Sequence, residues 1–178
     1  MLETSRLVLK PLSYQQMLKY IQNDNSLEAE LKLNNTSMKI SSLLKDALEQ
    51  SILPSVADES KDYLYSTLWT VIDKSENTAV ADVCFQGEPN QLGEIEIGYG
   101  TYEDFRGKGY MCEAVQAMIA WAKKQAKVKA IIAATDKINV ASYKILEKNH
   151  FVKVGESDEQ FNWRFNCGVR TDENHYSL

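Results

Sequence analysis

The sequence GEIEIGYGTYEDFRGKGY, residues 93–110, decides the fold of this chain. Its first part, residues 93–101, starts with alternating polar and apolar side chains and therefore predicts a β-strand. A helix is predicted to begin near Gly109, because apolar side chains recur at helical spacing after it. Four of the eight glycines in the chain lie between Gly98 and Gly109. That concentration is typical of backbone that approaches a ligand or adopts unusual torsions.

The loop between the predicted strand and helix, residues 105–110, has the character of an anion-binding site. The first N–H groups of a helix have no intrahelical partner, and the helix dipole is positive at that end. Small residues let a phosphate reach those N–H groups, and Arg106 and Lys108 add positive charge. A surface turn with basic side chains is the alternative, because short glycine-rich motifs often occur without a ligand.

Two other phosphate motifs fit this loop poorly. A P-loop requires Ser or Thr after Gly-Lys, whereas Gly109 follows Lys108 here. A dinucleotide fingerprint, G-x-G-x-x-G, would need a glycine at the position of Cys112. Both motifs are therefore disfavoured.

The composition is that of a globular protein with no preference for nucleic acid. The chain has 178 residues, 44% of them hydrophobic and 25% charged, which suits one domain, residues 1–178, with a polar tail at about residues 167–178. Its net charge of −5 argues against broad binding of nucleic acid. No apolar run approaches the roughly 20 residues that span a membrane, and the first residues lack the features of a signal peptide. We therefore expect no nucleic-acid or membrane partner.

The cysteines and histidines give no sign of a cross-linked or metal-binding protein. Cys84, Cys112 and Cys167 are widely spaced and form no Cys-x-x-Cys pair. His150 and His175 lack the spacing of metal ligands. We therefore expect a reducing cytoplasm, no disulfide framework and no bound metal.

Periodicity and breaking residues predict the remaining elements. Strands are predicted at residues 6–10, 63–72, 78–85, 128–134, 151–155 and 161–165. Helices are predicted from a Ser13 cap to about residue 23, at 43–52 with a stop before Pro54, and from an Asn139 cap to about residue 149. The apolar run at 128–134 is typical of a buried parallel strand. This order predicts a mixed sheet, with antiparallel hairpins on both sides of one parallel pair joined by a right-handed crossover.

Four motifs occur in one consistent order along nearly the whole chain. They are LETSRLVLKPL at residues 2–12, EIGY at 96–99, Arg106-x-x-Gly109-x-Met111, and Asn139-Val140-Ala141-Ser142 followed by Leu146-Glu147-Lys148 and Phe151. Together they resemble the GNAT acetyltransferase superfamily, in particular its RimJ/RimL-like N-acetyltransferase branch. The third motif looks like the acetyl-CoA motif of that superfamily, with Met111 where Gly or Ala is usual. His150 stands where the family usually has Gly before Phe.

The resemblance implies an α/β (α+β) fold with a mixed, mostly antiparallel sheet. About seven strands and four flanking helices are expected, with a parallel pair that splays apart at the centre. It also implies acetyl-CoA as co-substrate, with its pyrophosphate on the N–H groups from Gly107 to Met111 and its pantetheine in the splay. The cofactor-binding residues implied in this way are Tyr99, Thr101, Tyr102, Arg106, Gly107, Lys108, Gly109, Tyr110, Met111 and Asn139.

The resemblance also implies catalytic residues. In the RimL-like branch the acid is a serine three residues after the asparagine, which is Ser142 here, whereas another branch uses a tyrosine at the position of Leu146. For the base, Glu94 and Glu96 share one face of the predicted strand and could act directly or through water. The ordinary alternatives are a first-turn helix serine and two solvent-facing glutamates. We interpret Glu113, just inside the central helix, as structural.

The function implied is that of an acetyl-CoA-dependent N-acetyltransferase, an enzyme in which an amine attacks the thioester directly. The acceptor is a primary amine of a protein N-terminus, a peptide or a small molecule. Residues 27–39, the loop at 55–61 and the final hairpin are expected to contact it. A monomer or homodimer in the cytoplasm is expected. The alternatives are a non-catalytic acyl-CoA-binding or regulatory module of the same fold, and an interaction domain whose loop binds nothing.

Overall fold

A computed structural model describes residues 1–36, 40 and 42–168 of the chain. The strands of these ranges are β1 (Leu2–Glu3), β2 (Leu7–Pro11), β3 (Trp69–Asp73), β4 (Thr78–Phe85), β5 (Glu94–Thr101), β6 (Ala130–Asp136), β7 (Val152–Glu156) and β8 (Gln160–Asn166). They form one sheet in the order β1-β2-β3-β4-β5-β6-β8-β7. All neighbours are antiparallel except β5 and β6, which are parallel. The predicted fold class is confirmed.

The parallel pair at the centre of the sheet separates after three residues. β5 pairs with β6 at Glu94, Ile95 and Glu96. Beyond that point β5 continues to Thr101 alongside β4, whereas β6 continues to Asp136 alongside β8. The second half of β5 therefore borders a gap in the sheet, as the family resemblance implied.

Helices connect the strands and cover both faces of the sheet. In the described ranges they are α1 (Tyr14–Gln22), α2 (Ser26–Leu31), α3 (Ser42–Ala47), a π-helix (Leu48–Ile52), α4 (Leu53–Ala57), α5 (Tyr110–Ala122) and α6 (Val140–Lys148). Ser13 forms a capping box with Gln16 at the start of α1, and Asn139 caps α6, so both predicted caps are present. None of these helices combines the length and apolar character needed to cross a bilayer.

The predicted end of the second helix before Pro54 is wrong. The chain continues from α3 through the π-helix into α4, which has Pro54 in its first turn. The wider π turn carries the hydrogen bond from the Leu53 N–H to the Leu48 carbonyl. Pro54 has no N–H to donate into this helical run, and the π turn directly before it shifts the hydrogen-bond register, so the chain stays helical past the proline.

The predicted strand at 63–72 is also too long at its start. Residues Tyr63–Tyr65 form a 3-10 turn, and β3 begins only at Trp69. The Asp62 side chain accepts a hydrogen bond from the Leu64 N–H and so caps the turn. Tyr65 is therefore buried from a turn and not from an extended strand, whereas Tyr63 is exposed.

The sheet separates two apolar clusters. Neighbouring residues of β4 point to opposite faces, so Val83 contacts the cluster under α5, whereas Cys84 packs against the cluster under α1. Val115 and Met118 of α5 are fully buried in the first cluster. Packing of this helix against β5 fixes the position of the loop that joins them.

Candidate active site

The loop before α5 contains two glycines in the left-handed region. The φ angle is +74° at Gly107 and +78° at Gly109. A side chain at Gly107 would meet no atom within 4 Å, so the torsion and not a lack of space requires glycine there. Gly109 is the N-cap of α5 and has no side chain to accept from the first N–H groups. The start of α5 therefore presents backbone donors to an anion.

Arg6 and Glu113 hold this loop against the beginning of the chain. Arg6 Nε donates to Glu113 Oε2 at 2.7 Å, and Arg6 Nη1 donates to the Lys108 carbonyl at 3.1 Å. Glu113 also accepts from the Thr4 hydroxyl. Burial by itself would raise the pKa of Glu113, but the hydrogen bonds from Thr4 and Arg6 outweigh it and lower the pKa to about 2. These contacts support the structural interpretation of Glu113.

The two basic side chains of the loop, Arg106 and Lys108, are exposed. Arg106 Nε lies 3.4 Å from the carbonyl oxygen of Thr101. The backbone N–H of Arg106 already donates to the Glu103 carbonyl. The donors available to an anion therefore begin at Gly107, and the basic side chains add charge at the surface.

Two hydroxyl groups meet beside the gap between β5 and β6. Ser142 Oγ donates to Tyr99 Oη at 3.3 Å, and Tyr99 Oη donates to the Ser142 carbonyl at 3.0 Å. Tyr99 belongs to the part of β5 that has separated from β6, and Ser142 lies in the first turn of α6. Burial raises the pKa of Tyr99 to about 12, against the opposing effect of the Ser142 hydrogen bond. The structure thus brings the predicted acid next to a predicted cofactor-binding residue.

The neighbours of Ser142 on α6 have different environments. Asn139 Oδ1 accepts from the Ser142 N–H at 3.1 Å and so fixes the first turn of the helix. The Tyr143 ring lies 6.3 Å from the Trp163 ring in a stacked arrangement and 5.7 Å from the Phe161 ring, edge to face. Tyr143 is therefore directed towards the final hairpin, away from the Tyr99 hydroxyl.

The two glutamates predicted as base have different partners. Glu94 is ion-paired with Arg164 and accepts from Asn90 Nδ2 at 3.1 Å. The hydrogen bonds from Asn90 and Arg164 lower the pKa of Glu94. Glu96 Oε1 accepts from Gln86 Nε2 at 3.2 Å. Glu94 is thus engaged by a cation, whereas the recorded partner of Glu96 is a neutral amide.

A cavity of about 740 Å³ opens beside β4 and β5, on the face of the sheet that α1 covers. It is lined by Tyr20, Ile40, Leu44, Leu48, Ile52, Leu68, Asp82, Val83, Cys84, residues 98–102, Glu103, Asp104, Phe105 and Arg106. In the register of the two strands, Gly98 lies opposite Cys84 and Gly100 opposite Asp82. Neither glycine has a positive φ, and a side chain at Gly100 would meet no atom within 4 Å. The missing side chains of these glycines therefore leave space for the cavity.

Asp82 is a buried carboxylate in the wall of this cavity, with only 7% of the residue exposed. Tyr20 Oη and Tyr102 Oη each donate to Asp82 Oδ2 at 2.7 Å. Thr70 Oγ1 donates to Oδ1 at 2.9 Å. Burial raises the pKa of Asp82 against the opposing effect of the three hydroxyls. The side chain of Tyr102, predicted as a cofactor-binding residue, is thus committed to Asp82.

Sequence reasoning missed Asp82 and Tyr20. A signal for Asp82 exists, because it is the one charged residue in the strand sequence TAVADVCF at residues 78–85. Tyr20 gives no signal, since it sits on the apolar face of α1 like an ordinary core residue. Of the stretches predicted to contact an acceptor, residues 27–36, the loop at 55–61 and the final hairpin do not line the cavity, and residues 37–39 lie outside the described ranges.

Comparison with known sequences identifies a family. Residues 6–152 match the family model described as acetyltransferase (GNAT) domain. The uncharacterized N-acetyltransferase YjdG of Bacillus subtilis (strain 168) is 37% identical over 95 residues. The aligned part covers 53% of this chain and 56% of YjdG, so the match spans little more than half of that relative's length.

Solved structures share the fold at lower identity. Ribosomal-protein-S5-alanine acetyltransferase from Vibrio fischeri superimposes with a TM-score of 0.66 at 19% identity, covering 93% of this chain and 95% of that one. Spermidine N-acetyltransferase from Vibrio cholerae, in complex with CoA and spermine, gives a TM-score of 0.64 at 14% identity, covering 92% of this chain and 97% of that one. At these identities the likeness establishes the fold.

Proposed function

The chain belongs to the GNAT acetyltransferase family, and we propose on that basis that it is an acetyl-CoA-dependent N-acetyltransferase. In this reaction a primary amine attacks the acetyl thioester directly, without an acetylated enzyme. One observation carries the proposal: β5 leads from the gap in the sheet, through a 3-10 turn at Glu103–Phe105, into the glycine loop and the start of α5. A slot for an extended arm and a site for an anion are therefore contiguous, as pantetheine and pyrophosphate require.

The residues of the loop and the gap fit the co-substrate. We assign the pyrophosphate of coenzyme A to the N–H groups of residues 107–111, in support of which Gly107 and Gly109 have left-handed torsions. Arg106 and Lys108 add positive charge beside them. We assign the pantetheine to the backbone of residues 99–102, which lies where β5 has no β6 partner. Asn139 stands at the start of α6, where it orders the helix that carries Ser142.

The proposed roles in catalysis follow from the same contacts. Ser142 gives a proton to the departing sulfur; for this step its O–H turns from Tyr99 Oη, to which it donates in the structure, towards the sulfur. Glu96 accepts the proton of the amine, directly or through water, and is preferred to Glu94 because Glu94 is ion-paired with Arg164. Proximity of the two substrates supplies a large part of the rate.

The acceptor is an amine of a small molecule, a peptide or a protein N-terminus. We further propose that residues 1–178 form a single GNAT-like domain that works in the cytoplasm as a monomer or a homodimer. Its partners are acetyl-CoA and the acceptor.

Two measurements test the proposal. First, acetyl-CoA at a hundredfold excess over its Kd should raise the unfolding midpoint by about 5–10 °C. No shift would contradict acetyl-CoA binding. Second, a panel of amines and short peptides should release free coenzyme A from acetyl-CoA, measured with a thiol reagent against a reaction without amine. Binding without amine-dependent release would favour a non-catalytic acyl-CoA-binding module.

A further inference from the structure

The proposed acetyl transfer assigns no role to the buried carboxylate of Asp82. Taking a carboxylate out of water costs free energy unless a partner compensates it. Its hydrogen bonds come from the neutral hydroxyls of Tyr20, Tyr102 and Thr70. Within the described ranges Asp82 takes part in no ion pair. The part of the protein that the structure describes therefore leaves this charge without a cation.

The hydrogen bonds of Asp82 leave room for one more donor. The two oxygens of a carboxylate accept about four hydrogen bonds in total. Oδ2 already accepts from Tyr20 and Tyr102, whereas Oδ1 accepts from Thr70 alone. The remaining acceptor position is therefore on Oδ1. Asp82 is one of the residues that line the cavity, together with Tyr20 and Tyr102.

The rest of the cavity wall limits what the donor can be. Ile40, Leu48, Ile52 and Leu68 supply an apolar surface. This apolar part of the wall offers no partners to the amide groups of a peptide, which would lose their hydrogen bonds to water there. It does suit an alkyl or aryl group. The other charged residues of the wall, Glu103, Asp104 and Arg106, lie in the segment that leads to the glycine loop. The cavity of about 740 Å³ is also lined by residues 99–102, assigned to the pantetheine, so the amine takes the part of it beside Asp82.

We propose that Asp82 binds the ammonium group of a small primary amine with an alkyl or aryl body, and that this amine is the acetyl acceptor. The second part of this inference rests on the function proposed above. An ammonium ion must lose a proton before its nitrogen can attack. Asp82 then takes the place of Glu96 as the base: one N–H bond breaks, an O–H bond forms at the Asp82 carboxylate, and the nitrogen keeps the electron pair. A carboxyl whose pKa is raised by burial is better suited to accept that proton.

Calorimetric titration of benzylamine into the coenzyme A-saturated protein tests the binding step without turnover. We expect Asp82→Asn to weaken benzylamine binding at least tenfold, because the asparagine has the same size but no charge. The fold should persist, since the asparagine oxygen can accept from both tyrosines and its NH₂ group can donate to Thr70. Neutral benzyl alcohol should bind weakly and equally to both proteins.

The matched control is Asp73→Asn. Asp73 is a second buried aspartate, 4% exposed, and accepts from Tyr110 Oη at 2.6 Å. It is not among the residues that line the cavity. This variant should bind benzylamine within about twofold of wild type. A general loss of stability after removal of any buried carboxylate would affect both variants.

A second variant tests the position of the site. Gly100→Val places a side chain opposite Asp82, where its β-carbon meets no atom within 4 Å and no unusual torsion is needed. It should abolish benzylamine binding and leave the unfolding midpoint nearly unchanged. Equal benzylamine affinity of wild type and Asp82→Asn, or no binding to wild type, would overturn the inference. If binding depends on Asp82 but acetyl-CoA yields no N-acetylbenzylamine, the amine site stands and its role as the acceptor site is overturned.

Discussion

The hydroxyl groups of Ser142 and Tyr99 lie 3.3 Å apart, and Tyr99 Oη in turn donates to the Ser142 carbonyl at 3.0 Å. This pair joins the first turn of α6 to the part of β5 that has left β6. The ring of the neighbouring Tyr143 is stacked instead on the ring of Trp163. The structure therefore places only Ser142 beside the gap, although the sequence offers Ser142 and Tyr143 as neighbouring hydroxyls.

Ser142→Ala should lower kcat about ten- to a thousandfold, in line with the contribution of a general acid. Acetyl-CoA affinity should change little, because the hydroxyl acts on the departing sulfur in the transition state. Tyr143→Phe is the matched control and should have a milder effect. The measurement is steady-state kinetics with a working acceptor, together with calorimetry of acetyl-CoA. If Tyr143→Phe lost most of its kcat and Ser142→Ala kept nearly all of it, Tyr143 would be the general acid instead.

Gly109→Asp should abolish acetyl-CoA binding, because it places a negative charge where the pyrophosphate is expected. The control is Gly109→Asn, which has the same size and tolerates the left-handed torsion of +78° about as well. The asparagine variant should lose affinity less than the aspartate variant does. Calorimetry with acetyl-CoA decides, after circular dichroism has shown that both variants fold. Equal affinity of wild type and Gly109→Asp would refute the loop assignment.

Lys108→Ala should weaken acetyl-CoA binding only modestly, by less than about tenfold, because an exposed charge is screened by salt. The effect should shrink further at high ionic strength. Titrations at two salt concentrations measure it. If Lys108→Ala lost as much acetyl-CoA affinity as Gly109→Asp, the pyrophosphate would be bound mainly by the lysine and not by the backbone N–H groups.

Glu113→Gln should lower the free energy of unfolding by about 1–3 kcal/mol at pH 7, because hydrogen bonds to a charged acceptor are lost. The folded pKa of about 2 lies below the usual value. The stabilisation is therefore present above the unfolded pKa of about 4.3 and is lost as pH falls towards 2. Denaturant unfolding at pH 7, 4 and 2.5 should show the difference shrinking. Glu3→Gln, at an exposed glutamate, should change stability by less than about 0.5 kcal/mol. A difference that does not vary with pH would contradict the account of Glu113.

His150→Gly should stabilise the protein by about 0.5–1 kcal/mol. His150 follows α6 with a φ angle of +64°, in the left-handed region that favours glycine. The Phe151 N–H donates to the Leu146 carbonyl across this turn, as in a Schellman motif. His150→Ala keeps the β-carbon and should give no gain. Denaturant unfolding of both variants is the test, and an equal or lower stability of the glycine variant would show that the turn is unstrained.

The parts of the fold that depend on local signals could be predicted from the sequence. Ser13 and Asn139 cap their helices as predicted, and the strand at Thr78–Phe85 has the predicted bounds. The errors occur where distant contacts override local preference. Tyr65 packs edge to face against Trp121 at 5.0 Å, so an aromatic-rich segment became a turn. Pro54 failed as a stop signal because a π turn precedes it.

In the candidate site, too, local features could be predicted from the sequence and contacts between distant residues could not. The glycine loop could be predicted, because torsions and a helix N-terminus are properties of adjacent residues. The surroundings of Asp82 could not, since its partners Tyr20 and Tyr102 are 62 and 20 residues away along the chain. Pairing of β4 with β5 brings Gly100 opposite Asp82 and leaves the space between them. The cavity beside Asp82 therefore becomes visible only in three dimensions.

The most direct test of acetyl transfer uses acetyl-CoA labelled with carbon-13 in its acetyl group and benzylamine as acceptor. Mass spectrometry follows N-acetylbenzylamine in reactions with wild type, Gly109→Asp and no protein. We expect labelled product and an equal amount of free coenzyme A with wild type, and only background in the other two reactions. Labelled product at the same rate with Gly109→Asp, or no labelled product with wild type under conditions where it binds both ligands, would contradict the account.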